Sequence, residues 1–281
     1  MNVQRKPEWL RVKASIFLPE SVRRVTNKYN LNTVCEEAAC PNIHECWGMG
    51  TATFMILGNT CTRNCGFCNV KSGYTFLLDR KEPERVAEAV KELALNHAVI
   101  TSVTRDDLDD GGASIFAETV QLIRKNTSST IEVLIPDFNG SLVSLKVVID
   151  SMPDILGHNI ETVRRLYPYV RASADYDRSL EMLKMAESLN KNIITKTGLL
   201  LGFGEDEKEI IQTIMDIRET NCDIITIGQY LPPSRRHYPV KRYYTPEEFR
   251  KFELIGKDMG FLHVESGPLV RSSYHAKYPK L

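Results

Sequence analysis

Three things are missing from this sequence: a long hydrophobic run, an excess of charge of either sign, and a fourth cysteine in either place where cysteines gather. No stretch of the 281 residues approaches the roughly 18–20 consecutive apolar residues of a bilayer span. A membrane partner is therefore not expected. Lys plus Arg and Asp plus Glu both number 36, so no net field draws the chain to nucleic acid. The aromatic-rich basic face of a nucleic-acid module is also absent. The opening MNVQRKPEWLRVKASIFLPESV has no apolar core and no small-residue cleavage site, which excludes a secretory signal. Its Glu and Pro argue against a transit peptide. The expected compartment is the cytoplasm, where clustered cysteines are more often ligands than disulfides.

What is present is an ordinary globular composition, 42% hydrophobic and 26% charged, long enough for one large domain or two small ones. Six of the seven cysteines fall between positions 35 and 68, in two groups of three. Cys35, Cys40 and Cys46 are spaced C-x4-C-x5-C, and Cys61, Cys65 and Cys68 are spaced C-x3-C-x2-C. A structural zinc site wants four closed ligands, usually as two C-x2-C pairs, and only Cys65 and Cys68 form one. Disulfides lack an export signal. The spacing thus favours iron–sulfur clusters over zinc, and zinc over disulfides. Three thiolates on a four-iron cluster leave one iron open, which points to chemistry at the metal rather than electron carriage. Cys222 stands alone before an apolar run and reads as an inert core thiol.

From Thr53 onward, short β-like runs alternate with amphipathic helical segments. The strands are predicted at 53–58, 98–103, 131–136, 154–159, 192–202 and 223–229. In EPERVAEAVKELAL, Pro83 suits a first helical turn, and Val86, Val90 and Leu93 line one face. In DEKEIIQTIMDIRE, Ile210, Ile214 and Ile217 do the same. Six βα units predict an α/β fold, a partial (β/α)6 TIM-like barrel rather than a complete eight-stranded one. TPEEFRKFELIGKDMG and FLHVESG are expected to add a helix and a strand outside the barrel. Loops rich in Gly, Asp, Asn and Pro follow five of the strands, where such folds do their chemistry.

C-x3-C-x2-C after the first strand resembles the signature of the radical S-adenosylmethionine enzymes. CEEAACPNIHECW at 35–47, TSVTRDDLDDGGA at 101–113, HNIETVRRLYPYVR at 158–171, YDRSL at 176–180 and RSSYHA at 271–276 resemble the lipoyl synthase family along essentially the whole chain. One departure is Arg164, where the pattern has Pro. The resemblance implies sulfur insertion at C6 and C8 of a protein-bound octanoyl-lysine, carbons that no side-chain base can deprotonate. The alternative is another radical sulfur inserter acting on a small molecule or tRNA. It implies two 4Fe–4S clusters and S-adenosylmethionine as cofactors, an octanoylated lipoyl-carrier domain as substrate, and a ferredoxin or flavodoxin as electron donor. Cys61, Cys65 and Cys68 would hold the cluster that cleaves S-adenosylmethionine. Cys35, Cys40 and Cys46 would hold an auxiliary cluster that donates sulfur, with Ser273 of RSSY as its fourth ligand.

The organisation expected is an N-terminal extension over residues 1–50 with the auxiliary cysteines, the barrel over 51–230, and a C-terminal extension over 231–281 closing the site. Asn159, Glu161 and Arg178 are candidates for the amino and carboxylate groups of S-adenosylmethionine. Gly111 and Gly112 are candidates for close backbone approach to it. His44 is expected to be structural. The basic run Arg235, Arg236, His237, Lys241 and Arg242 reads as a solvated loop before a docking surface.

Overall fold

The computed structural model describes residues 5–11, 20–38, 40–75 and 77–274. Ala39 of the first cysteine run, and His275 and Ala276 of the C-terminal motif, lie outside the described residues. Seven parallel strands form one sheet: β1 (Thr51–Ile56), β2 (His97–Ser102), β3 (Thr130–Leu134), β4 (Ile155–Gly157), β5 (Ile194–Leu201), β6 (Ile224–Gln229) and β7 (His263–Gly267). Each neighbours the next in sequence order. A two-residue strand, Asn32–Thr33, pairs antiparallel with the free edge of β1. No pairing among the described residues joins that edge to β7, so the sheet is open. The fold is α/β with a mostly parallel sheet, consistent with a partial TIM-like barrel.

Each β-to-β connection carries a helix, as parallel pairing demands: α1 (Glu82–Glu92), α2 (Ala113–Asn126), α3 (Leu142–Asp150), α4 (Tyr176–Leu189), α5 (Glu207–Arg218) and α6 (Pro246–Asp258). Their starts are written locally. Pro83 lies in the first turn of α1. Asp206 with Glu209, and Thr245 with Glu248, form reciprocal capping boxes on α5 and α6. Val86, Val90, Ile210, Ile214 and Ile217 are buried on the faces the periodicity predicts.

Two expectations change. The strand predicted at 53–58 runs over 51–56, because Leu57 (φ 69°) and Gly58 (φ 86°) turn left-handed and end the pleat. FLHVESG, expected as a strand outside the barrel, instead extends its parallel sheet. Its strand, β7, pairs parallel with β6 from His263↔Ile224 to Gly267↔Gly228. The cause is α6, whose Phe249 and Phe252 are buried and whose Gly256 admits Val264 of β7 against the helix backbone. The division expected at residue 230 thus falls between two strands of one sheet.

Between the strands lies a buried polar group. Lys196 Nζ sits 2.9 Å from Glu132 Oε2, and His97 Nε2 is 3.4 Å from the same oxygen. Cys222 is fully buried, its Sγ 3.5 Å from the Ile224 carbonyl, and burial pushes its thiol up to about 12.

Candidate functional site

The C-x3-C-x2-C loop leaves β1 and is tied down along its length. Cys61 lies in a two-residue strand, Thr60–Cys61, beside Lys71–Ser72. Its carbonyl accepts from Gly73 N–H at 2.8 Å, and Gly66 N–H donates to the Val170 carbonyl at 2.9 Å. Gly66 also accepts from Tyr238 N–H at 2.7 Å, and a Cβ there would meet the Tyr169 carbonyl oxygen at 3.3 Å. His237 Nε2 lies 3.1 Å from the Cys68 carbonyl. That places one member of the basic run against this loop. Arg242 pairs with Glu248 on α6.

Arg63, between Cys61 and Cys65, is the anchor of the loop. Its guanidinium makes two 2.8 Å bonds to Asp106, one of 2.6 Å to Asp137 and one of 2.9 Å to Asn139. Asp137 is fully buried and also accepts from Arg178 Nε at 2.8 Å. Burial opposes ionisation of Asp137, but the Arg63 hydrogen bond and charge, with Arg178 beyond, hold its carboxyl well below the usual range. Sequence reasoning missed this network.

Asn159 and Glu161 follow β4 and do come together: Asn159 Nδ2 donates to Glu161 Oε1 at 2.9 Å. Glu161 adopts φ 67°, and burial raises its carboxyl against the opposing charge of Arg171. Arg171 Nη1 bonds the Asn159 carbonyl and the Tyr167 hydroxyl, while its buried Nε has no hydrogen-bond partner. Beside them, burial and then the Arg171 charge push His158 down to about 4, so its imidazole is neutral at pH 7. Nδ1 of His158 meets the Ile135 carbonyl at 2.9 Å, leaving a buried, unpartnered Nε2. Arg178 is drawn to Asp137 instead of to this group. Gly111 and Gly112 have structural reasons to be glycine. Their φ values are 62° and 91°, and added Cβ atoms would lie 2.9 Å from Phe138 Cδ1 and 2.2 Å from Leu57 Cδ1.

Of the other three cysteines, Cys35 lies in the short helix Val34–Glu37, Cys46 in the short helix Ile43–Gly48, and Cys40 between the two. Burial, then Cys40, Cys35 and Glu45, pushes Cys46 up to about 12. In the barrel-mouth group, burial pushes Cys68 up to about 11, with Cys65, Cys61 and Glu161 adding to the rise. Thiols so destabilised as anions need a cationic partner to ionise. Ser273 lies in the turn Arg271–Tyr274, closed by Tyr274 N–H to the Arg271 carbonyl at 2.9 Å. That turn reaches the upstream group: Tyr274 Oη is 3.2 Å from both carboxylate oxygens of Glu45, beside Cys46.

The sequence profile of the radical SAM superfamily matches residues 55–217, more than half the chain. A lipoyl synthase from Flavobacterium psychrophilum is 55% identical over 97% of this chain and 94% of its own length. One from Rubrobacter xylanophilus is 54% identical over 96% and 85% respectively. A mitochondrial lipoyl synthase from Nematostella vectensis is 54% identical over 97% and 94%. The chain belongs to the lipoyl synthase family. Among solved structures, methylornithine synthase (PylB) superposes with a TM-score of 0.57 at 13% identity, covering 91% of this chain and 80% of that one. Streptococcus suis SuiB bound to S-adenosylmethionine gives 0.58 at 13% identity, covering 85% and 56%. These two speak to the fold alone.

As a member of the lipoyl synthase family the chain is a radical SAM sulfur-inserting enzyme, with 4Fe–4S clusters and S-adenosylmethionine as cofactors. The residues present fit those groups. Among the described residues no three His, Cys, Asp or Glu side chains converge on one metal ion. Within each triad the thiols still act on one another electrostatically. Buried donors lie at both places: Trp47, whose side chain acts on the Cys35 thiol as a donor, and Arg171, whose Nε has no hydrogen-bond partner and whose charge acts on Cys65.

Proposed function

We propose that this chain replaces two hydrogens, at C6 and C8 of an octanoyl group carried on a protein lysine, with sulfur, giving the lipoyl cofactor. The observation that carries the reading is the presence of two separate thiol triads whose surroundings meet at Arg271. The Arg271 charge acts on Cys40 of one triad and on Glu161 beside the other. In this reading Cys61, Cys65 and Cys68 hold the radical-forming cluster, and Cys35, Cys40, Cys46 and Ser273 hold the auxiliary one. When bound, the clusters and S-adenosylmethionine supply an electron, a carbon radical and the sulfur.

The chain's own residues bind, orient and exclude water. Arg63, Asp106 and Asp137 fix the loop that carries three ligands. Asn159, Glu161 and Arg171 are proposed to receive the charged and hydroxyl groups of S-adenosylmethionine, and His158 Nε2 to accept a hydrogen bond from it. Gly111, Gly112 and Arg178 stand at the same mouth and shape it. The extensions at 1–50 and 231–281 are proposed to bring the auxiliary ligands to the barrel region of residues 51–230, to whose sheet each extension also adds a strand. The partner is an octanoylated carrier domain, with a ferredoxin or flavodoxin as electron donor and the cytoplasm as compartment. No helix among the described residues is long and apolar enough to cross a membrane.

The test is mass spectrometry of an octanoyl-lysine peptide incubated with anaerobically reconstituted protein, S-adenosylmethionine and reductant. Two hydrogens should be replaced by two sulfurs. Turnover of a tRNA or a free small molecule, with none of the peptide, would contradict the assignment.

A further inference from the structure

An oxygen ligand is a poor partner for cluster iron beside three thiolates. It binds only if the fold supplies it at high effective concentration, with little ordering left to do. Two side chains of the cysteine segment reach across the chain to supply it. Asn42, buried between Cys40 and Cys46, donates from Nδ2 to the Leu269 carbonyl at 2.7 Å. Glu45, next to Cys46, takes the Tyr274 hydroxyl at 3.2 Å. The partners stand 227 and 229 positions apart in sequence. The tail between them is threaded tightly over the sheet end: a Cβ on Gly228 would lie 2.1 Å from the Val270 carbonyl oxygen. The Ser273 turn thus hangs between two fixed points, Leu269 and Tyr274.

We propose that Asn42 and Tyr274 are positioning residues, a two-point clasp that holds the Ser273 hydroxyl over the Cys35/Cys40/Cys46 triad before a cluster is present. The proposal rests on Ser273 being the fourth ligand. In this role each acts by holding the tail, Asn42 at the Leu269 carbonyl and Tyr274 at Glu45. Removing one such hydrogen bond should weaken docking of the turn by about threefold to tenfold.

The experiment compares wild type, Tyr274→Phe, Asn42→Ala, the double variant and Ser273→Ala, all as reconstituted holoenzyme with S-adenosylmethionine bound to shield the open iron of the other cluster. After mild oxidation, electron paramagnetic resonance reads how much auxiliary cluster has lost its oxygen-held iron and become 3Fe–4S. Tyr274→Phe removes one oxygen and keeps the ring, so its folding is not at issue. Its 3Fe–4S signal should exceed wild type by about threefold, and the double variant should approach Ser273→Ala. Ser273→Ala raised with Tyr274→Phe and Asn42→Ala at the wild-type level would overturn the clasp alone. Ser273→Ala at the wild-type level would overturn the serine assignment and the clasp with it.

Discussion

Asp137→Asn tests the network that anchors the C-x3-C-x2-C loop. The carboxylate is fully buried and holds two guanidinium groups, Arg63 at 2.6 Å and Arg178 at 2.8 Å. Asparagine keeps the shape and one acceptor oxygen but removes the charge. Breaking a buried pair by removing one partner costs about 3–5 kcal/mol. Here Arg63 keeps Asp106 and Asn139, and the Arg178 side chain is 30% exposed, so the expected loss sits at the low end, about 3 kcal/mol. Against a typical total of about 5–15 kcal/mol, that is easily read by urea denaturation of the anaerobic apoprotein. The pH dependence has a defined sign. The folded carboxyl lies below its unfolded value of about 3.9, so its contribution is complete above that value and is lost as pH falls. The gap between wild type and variant should be flat from about pH 7 to pH 5 and narrow toward about pH 3. The variant should also load less iron at Cys61, Cys65 and Cys68 while the upstream triad is unaffected. Equal stability at neutral pH, or a gap that persists unchanged below pH 4, would refute the reasoning.

Gly112→Ala should destabilise the apoprotein by about 2–4 kcal/mol, combining left-handed strain with overpacking. The reason is the φ of 91° and the 2.2 Å approach to Leu57, and a thermal melt checks it. Lys196→Met should cost about 3–5 kcal/mol by leaving Glu132 buried without its cation, whereas Glu132→Leu with Lys196→Met should come within about 1 kcal/mol of wild type. Denaturation of both variants separates a pair kept for stability from one that merely must not be broken.

The parts of the site that were legible in the sequence are those whose chemistry is carried by residue type and local spacing. The two thiol triads are of this kind, as are the βα alternation and the helix start at Pro83. The anchor network was not legible, because Arg63 meets Asp106 and Asp137 across 43 and 74 positions, and single charged residues in loops carry no pattern. The strand at 263–267 was readable as a strand, but its membership of the sheet depends on how α6 packs. Gly111 and Gly112 have a further reason to be glycine that no spacing shows, the positive φ of each and the approach of Phe138 and Leu57 where a Cβ would stand. The pairing of Arg178 with the buried carboxylate of Asp137 joins residues 41 positions apart and has no local signature either.

The division of labour between the triads is the central claim, and one variant tests it most directly. Replace Cys35, Cys40 and Cys46 together with alanine, reconstitute anaerobically, and supply S-adenosylmethionine, reductant and an octanoyl-lysine peptide. Chromatography and mass spectrometry of the same reaction then report 5′-deoxyadenosine and peptide sulfur together. The account predicts 5′-deoxyadenosine formation, since Cys61, Cys65 and Cys68 are intact, and no sulfur on the peptide. Sulfur inserted by this variant would contradict the account.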